Sequence, residues 1–264
     1  MKKTLFILLF FGLFSSCTKV PLTGRSQLAF LSNQELQPLV NEEYAKALKT
    51  NEIVTNSDEG KQVSAVGKKM AVAVEKYLQE QGYGDLVKDL DWEFNLLKSE
   101  QVNAWCMPGG KVAFYTGILP ITKNETGIAV VMGHEIAHAV ASHANERMST
   151  GLLVNFGFAA VSSAVGQNPT LTQEVFLQSV GIGSELKMLQ FSRKHELEAD
   201  RMGLIFMAMA GYDPREAPIF WERMAAASGQ APLEFLSTHP GPDRRAERLN
   251  ALMPEALVYY EQAK

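Results

Sequence analysis

The residues best suited to chemistry lie in Gly133-His134-Glu135-Ile136-Ala137-His138. Four apart on a helix, His134 and His138 share a face, where two neutral imidazoles can bind one Zn²⁺. Glu135 beside them can take a proton from water that the metal acidifies. The flanks Ile128 to Met132 and Ala139 to Ala141 make the segment apolar nearly all round and free of Pro, which reads as a buried helix. The competing reading is two core histidines with a solvated Glu between them. A helix so apolar has no place for an idle, unpaired Glu, and the motif points to a zinc hydrolase.

A catalytic zinc takes three protein ligands and keeps one position open. The third is sought in Glu196-Leu197-Glu198-Ala199-Asp200. Glu196 and Glu198 stand roughly 200° apart on a helix, so only one can face the metal. Glu196 shares its face with Asp200, a carboxylate able to orient a zinc-bound His, and with Gly203, small enough for close helix contact. The reading is therefore Glu196 as ligand, Asp200 behind a ligand His, Glu198 as a solvated helix residue, and His195 at the surface. His239 precedes Pro240, which restricts its backbone. Three roles stay open for it: a turn residue, a donor to the oxyanion, or a ring that takes the open metal position and holds the site latent. Arg244 or Arg245 could share the oxyanion role.

The elements that must position these groups follow in order. Ser32 or Asn33 starts a helix running to about residue 48, and residues 50–60 read as a loop. Val63, Val66, Met70, Val74 and Tyr77 step by three and four, giving an amphipathic helix over residues 61–81. Residues 92–97 alternate like a half-buried strand. Pro108-Gly109-Gly110 then turns the chain into a second strand, residues 111–116. That strand could offer its free edge to an extended peptide, with Gly110, Lys111, Val112, Ala113 and Phe114 as the substrate-binding backbone, or it could be interior. The His helix is expected to end near residues 147–148. The apolar segment 151–166 is short for a bilayer span and reads as a buried helix, a mobile cover or a lipid-resting surface. Asn168-Pro169 breaks the chain before a long helix over 171–210, with a kink near residues 181–183. A helix from Asp213-Pro214 carries Phe220, Trp221 and Met224, and a last one carries Arg244, Arg245 and Arg248.

Net charge −4 and a pI near 5.8 argue against a nucleic-acid partner. At the N-terminus, Lys2 and Lys3, the apolar run Leu5 to Phe14 and Ser15-Ser16-Cys17 have the layout of a secretory signal. The Phe-Ser-Ser-Cys ending resembles a bacterial lipobox, which implies cleavage before Cys17 and a lipid on its sulfur. Thr18 after it resembles outer-membrane sorting. The expected organisation is a lipoprotein signal peptide over 1–16, a lipid-anchored tether over 17–32 and a metallopeptidase domain over 33–264. The other cysteine, Cys106, reads as a buried thiol or an intermolecular bridge.

His-Glu-Ile-Ala-His followed by Ser192-Arg193-x-x-Glu196-x-Glu198-Ala199-Asp200-x-x-Gly203 resembles the zinc metallopeptidase family of HtpX, the CAAX prenyl proteases, BepA and LoiP. The block Asn103 to Lys111, with Tyr115-Thr116-Gly117, is most similar to the soluble, LoiP-type lipoprotein branch. His239-Pro240 followed by arginines also resembles the family. The resemblance covers about residues 30 to 250 and implies a compact gluzincin domain and an endopeptidase of protein quality control. The chain departs from HtpX and the prenyl proteases in having no internal membrane spans, and from BepA in having no repeat domain before Lys264. The expectation is a mostly helical α+β zincin domain holding one Zn²⁺ through His134, His138 and Glu196, with Glu135 as base. Its substrates would be unfolded or misfolded envelope proteins, met at the outer membrane facing the periplasm, where a lipid on Cys17 holds the chain. The alternatives are a non-catalytic zinc lipoprotein acting as holdase or assembly factor, and a zinc hydrolase of a non-protein envelope amide.

Overall fold

Side-chain caps fix where the helices begin. Ser32 accepts the Glu35 N–H at 3.2 Å and Glu35 Oε2 accepts the Ser32 N–H at 2.7 Å, a reciprocal pair that opens α1 (Asn33–Thr50). Ser57 accepts from the Gly60 N–H at 3.1 Å and opens α2 (Asp58–Glu80), slightly earlier than the apolar periodicity suggests. Asn124 does the same for Gly127 at 3.0 Å and opens the motif helix α5 (Glu125–Val140).

The computed structural model describes residues 17–156, 169–180, 193–228, 235, 236, 239 and 244–264. The expected signal peptide over 1–16, the segment 157–166, the expected kink near 181–183 and Pro240 lie outside the described residues. Around α1, α2 and α5 the chain forms a mostly helical α+β domain. Its other elements are β1 (Cys17–Lys19), β2 (Ser26–Leu28), α3 (Gly84–Lys88), β3 (Glu93–Leu97), β4 (Ala104–Met107), β5 (Lys111–Tyr115) and α4 (Leu119–Thr122). Beyond α5 come α6 (His143–Phe156), α7 (Pro169–Ser179), α8 (Arg193–Met209), α9 (Glu216–Ser228) and α10 (Arg245–Gln262). Among the described residues no helix is long and apolar enough to cross a membrane.

The sheet has the order β3-β5-β4, with β3 parallel and β4 antiparallel to β5. Alternation along the strands divides the core in two. Phe94, Leu96, Ala104, Cys106, Val112 and Phe114 join the larger cluster with α2, α5 and α8. Leu97, Trp105, Met107 and Ala113 pack on the other face with Leu36, Val40 and Tyr44 of α1 and with α6 and α7.

Three expectations are corrected. Strand 111–116 offers no free edge, because β5 is the middle strand and both its edges are paired. The sheet edge beside α5 that has no strand partner belongs to β4, whose residues are all buried. Asn103 and Met107 point their carbonyls inward, accepting from Tyr115 and Gly110 at 3.1 Å each, so by alternation the backbone groups of Ala104 and Cys106 face outward. The His helix ends at Val140 rather than near residue 147: Ser142 takes φ +54° and a new helix starts at His143. Residues 17–28, expected as part of an extended tether, form an antiparallel hairpin whose turn carries Thr23 and Arg25 onto α6 and α8.

Candidate metal centre

α5 is buried on every side from Gly127 to His138, so its polar side chains have only one another and their neighbours to meet. α8 crosses it at two glycines: a Cβ on Gly203 would stand 2.8 Å from the carbonyl carbon of Gly133 and from His134 N. That approach, foreseen from Gly203, brings Glu196 against both histidines. His134 Nε2 and His138 Nε2 are 3.1 Å apart, and Glu196 places Oε1 3.3 Å from His138 Nε2 and Oε2 3.4 Å from His134 Nε2. Tetrahedral donors about 2.0–2.2 Å from a zinc stand roughly 3.3–3.6 Å from each other. The two imidazole nitrogens and the Glu196 carboxylate, 3.1–3.4 Å apart, stand close to that spacing and suit a zinc ion.

A fourth donor joins them. His239 Nδ1 lies 3.2 Å from His134 Nε2 and 3.1 Å from Glu196 Oε1, and the four side chains form the one candidate metal cluster among the described residues. The His239 ring stacks on Phe235, whose N–H donates to the Val102 carbonyl at 3.1 Å, at the entry to β4. This places the His239 ring within the donor cluster.

Burial drives the His138 imidazole well below its usual value, leaving it neutral as a ligand must be. Burial would raise the Glu196 carboxyl, but the electrostatic pull of the His239 imidazole and hydrogen bonds from His134, His138 and His239 hold it well below the carboxylate range. Glu135 goes the other way. Burial lifts it to about 7; His239 opposes this, Glu196 adds to it, and Arg245 and a backbone hydrogen bond from Cys106 oppose it. Its Oε1 is buried and has no hydrogen-bond partner among the described residues, an acceptor aimed at the site, with His239 Nε2 at 3.5 Å.

Behind the donors, Asp200 Oδ1 lies 3.2 Å from His134 Nδ1. Arg245 was weighed for the oxyanion and is committed elsewhere. Its guanidinium is buried, bonds Asp200, reaches Glu196 Oε2 at 3.2 Å and lies 3.5 Å over the Trp221 ring. Arg244 is exposed and pairs with Glu247 at 3.0 Å. Two further readings are corrected. Glu198 is buried, not solvated: it does face away from the metal, but the hairpin covers that face. His195 is also buried, bonded to Glu146 at 3.1 Å, and is not among the donors. The residues missed altogether are His143, Glu146, Arg25 and Thr23. Only His143, five after His138, carried any signal, and the helix break at Ser142 hid it.

The profile of peptidase family M48 matches residues 61–253. The "Mitochondrial metalloendopeptidase OMA1" of Schizosaccharomyces pombe is 39% identical over 177 residues, covering 66% of this chain and 50% of the relative. The "Metalloendopeptidase OMA1, mitochondrial" of Homo sapiens is 31% identical over 252 residues, covering 91% and 47%. The "Beta-barrel assembly-enhancing protease" of Escherichia coli is 28% identical over 179 residues, covering 62% and 35%. The chain spans about half the length, or less, of these curated relatives. The mitochondrial names overturn the expected location, a bacterial outer membrane facing the periplasm. All four donors and Glu135 fall inside the span that the profile matches, and from this we conclude that the chain belongs to peptidase family M48.

Proposed function

We propose that this chain is a zinc metalloendopeptidase that cleaves unfolded or misassembled proteins. The observation that carries the reading is Glu135, a buried carboxylate with an open acceptor oxygen beside a zinc-shaped donor set. His134, His138 and Glu196 would hold the metal, which when bound supplies Lewis acidity to the scissile carbonyl and acidifies water. Asp200 accepts the Nδ1 proton of His134 and so keeps Nε2 directed at the site. Glu135 takes the proton of the attacking water and passes it to the leaving amine; burial raises this carboxyl, the direction that helps it give the proton back. The outward carbonyls of Ala104 and Cys106 would accept from an extended substrate backbone, in place of the strand first expected to do so, while the Ala104 N–H is held by Asn103 Oδ1 at 2.9 Å and the Cys106 N–H by Glu135. Pairing of that kind reads little sequence but requires an unfolded segment, which supports the substrate class. A zinc protein without activity, such as a holdase, gives no account of the open Glu135 oxygen.

The test is digestion of casein, an unfolded protein, by the metallated full chain and by His239→Ala, with and without a chelator. Cleavage is expected to be lost on chelation and to fall about 10²–10⁴-fold in Glu135→Gln, which should keep about one zinc per chain. Cleavage by a folded, zinc-loaded Glu135→Gln at the parent rate, or none by either metallated parent, refutes the reading.

A further inference from the structure

On the side of His138 away from the donors, polar groups run out to the N-terminal hairpin. His138 Nδ1 lies 2.9 Å from His143 Nδ1, and His143 Nε2 lies 3.0 Å from Glu198 Oε2. Glu198 accepts from Arg25 Nε at 2.7 Å and from the Thr23 hydroxyl. Arg25 turns both Nη atoms to Glu146, at 2.9 and 2.8 Å, and Glu146 holds His195. The His143 ring is fully buried and Glu198 nearly so. All five histidines of the chain thus lie in the donor set or in this network.

The protons have one consistent order. An imidazole that offers Nε2 to a metal keeps its hydrogen on Nδ1. His138 Nδ1–H then donates to His143 Nδ1, and His143 keeps its hydrogen on Nε2 and donates to Glu198. The two ligand histidines are therefore braced differently. His134 meets Asp200 directly, on the helix that also supplies Glu196. His138 reaches a carboxylate only through a second imidazole, and that carboxylate is held by residues of the hairpin.

We infer that His143 and Glu198 are positioning residues for His138, and that Thr23 and Arg25 make the N-terminal hairpin part of the metal site. The inference rests on His138 holding zinc, as proposed above. A plain structural clamp differs in one respect: Arg25 would tie α6 to α8 for stability, and its loss would leave the metal's surroundings unchanged.

The experiment uses the full chain. Zinc affinity is measured by chelator competition, and the visible spectrum of the cobalt-substituted protein reports ligand geometry. His143→Leu removes the acceptor for His138 and is expected to weaken zinc binding roughly 10–100-fold and to alter the cobalt spectrum. His143→Asn can return an amide oxygen near the Nδ1 position and is expected to recover most of the affinity. Arg25→Ala should weaken zinc several-fold, and that effect should vanish in a His143→Leu background, since both act through one path. Wild-type affinity and an unaltered spectrum in a folded His143→Leu overturn the inference, as does an Arg25→Ala effect that persists without His143. If His143→Leu fails to fold, Arg25→Ala decides, and an unchanged spectrum and affinity there overturn it. Glu196→Ala separates the two levels. If it too leaves zinc binding intact, the metal reading has failed; if it alone abolishes binding, the relay has failed.

Discussion

Glu196 and Glu198 are chemically alike and two positions apart, yet the fold gives them opposite surroundings. Glu196 turns to two imidazoles across a glycine contact, while Glu198 turns to Arg25 and His143. Glu196→Ala is expected to lose zinc nearly completely, whereas Glu198→Ala should retain it at reduced affinity; metal analysis and chelator competition check the order. His239 offers a sharper contrast. Its Nδ1 lies 3.2 Å from His134 Nε2 and 3.1 Å from Glu196 Oε1, so with a metal held there the ring would compete with substrate and water for the remaining position. His239→Ala should therefore weaken zinc binding while raising turnover. A closed state favoured by about 1.4 kcal/mol holds activity down about tenfold. Lower turnover in folded, fully metallated His239→Ala would assign the ring to the oxyanion instead. Helical spacing of four pairs His134 with His138 and Glu196 with Asp200, and Glu135 was read from its place next to His134 in the motif. Arg25 was not, because its partner Glu198 lies 173 residues away and nothing local announces such a pairing.

At the scale of elements the site depends on how closely α5 and α8 approach. Gly133 and Gly203 meet backbone to backbone, and a methyl group on Gly203 would press on the peptide that carries His134. Rigid backbone cannot give way as a side chain would, so Gly203→Ala is expected to lose about 1–3 kcal/mol of stability. It should also weaken zinc binding, because Glu196 rides on the displaced helix. Thermal melts with and without zinc measure both effects, and an unchanged melting temperature would show that the helices separate freely. This contact was readable in the sequence, since Gly203 falls on the Glu196 face. β4 was harder to read. Ala104, Trp105, Cys106 and Met107 are all buried, so the strand shows no alternation of apolar and polar residues to betray it. Without β4 in view, β5 looked like an edge. The break between α5 and α6 was equally hidden, because Ala141-Ser142 carries neither Pro nor Gly.

Across the whole molecule, the hairpin β1–β2 is fastened to the helical body by ion pairs from Arg25 as well as by Val20, which is buried in the main core. Arg25 bridges Glu146 of α6 and Glu198 of α8, joining three parts of the chain that are distant in sequence. This fastening predicts a pH dependence of stability. Burial alone would raise the Glu146 carboxyl, but hydrogen bonds from His195 and Arg25 outweigh it and bring the group down to about 2. A carboxyl with a folded value below its ordinary 4.5 binds fewer protons in the native state than in the unfolded one. Its contribution is complete above pH 4.5 and is lost as the pH falls from there toward 2. Allowing for solvent screening of a partly buried group, the contribution is on the order of 1–2 kcal/mol. Denaturant unfolding of the full chain between pH 6 and 2.5 should show a loss of stability in that window. Glu146→Gln should be less stable than the parent at pH 6 and should converge on it as acid protonates the parent's carboxyl. Parallel curves for the two proteins across the window would mean that Arg25 is held by Glu198 alone, and that Glu146 contributes nothing to fastening the hairpin.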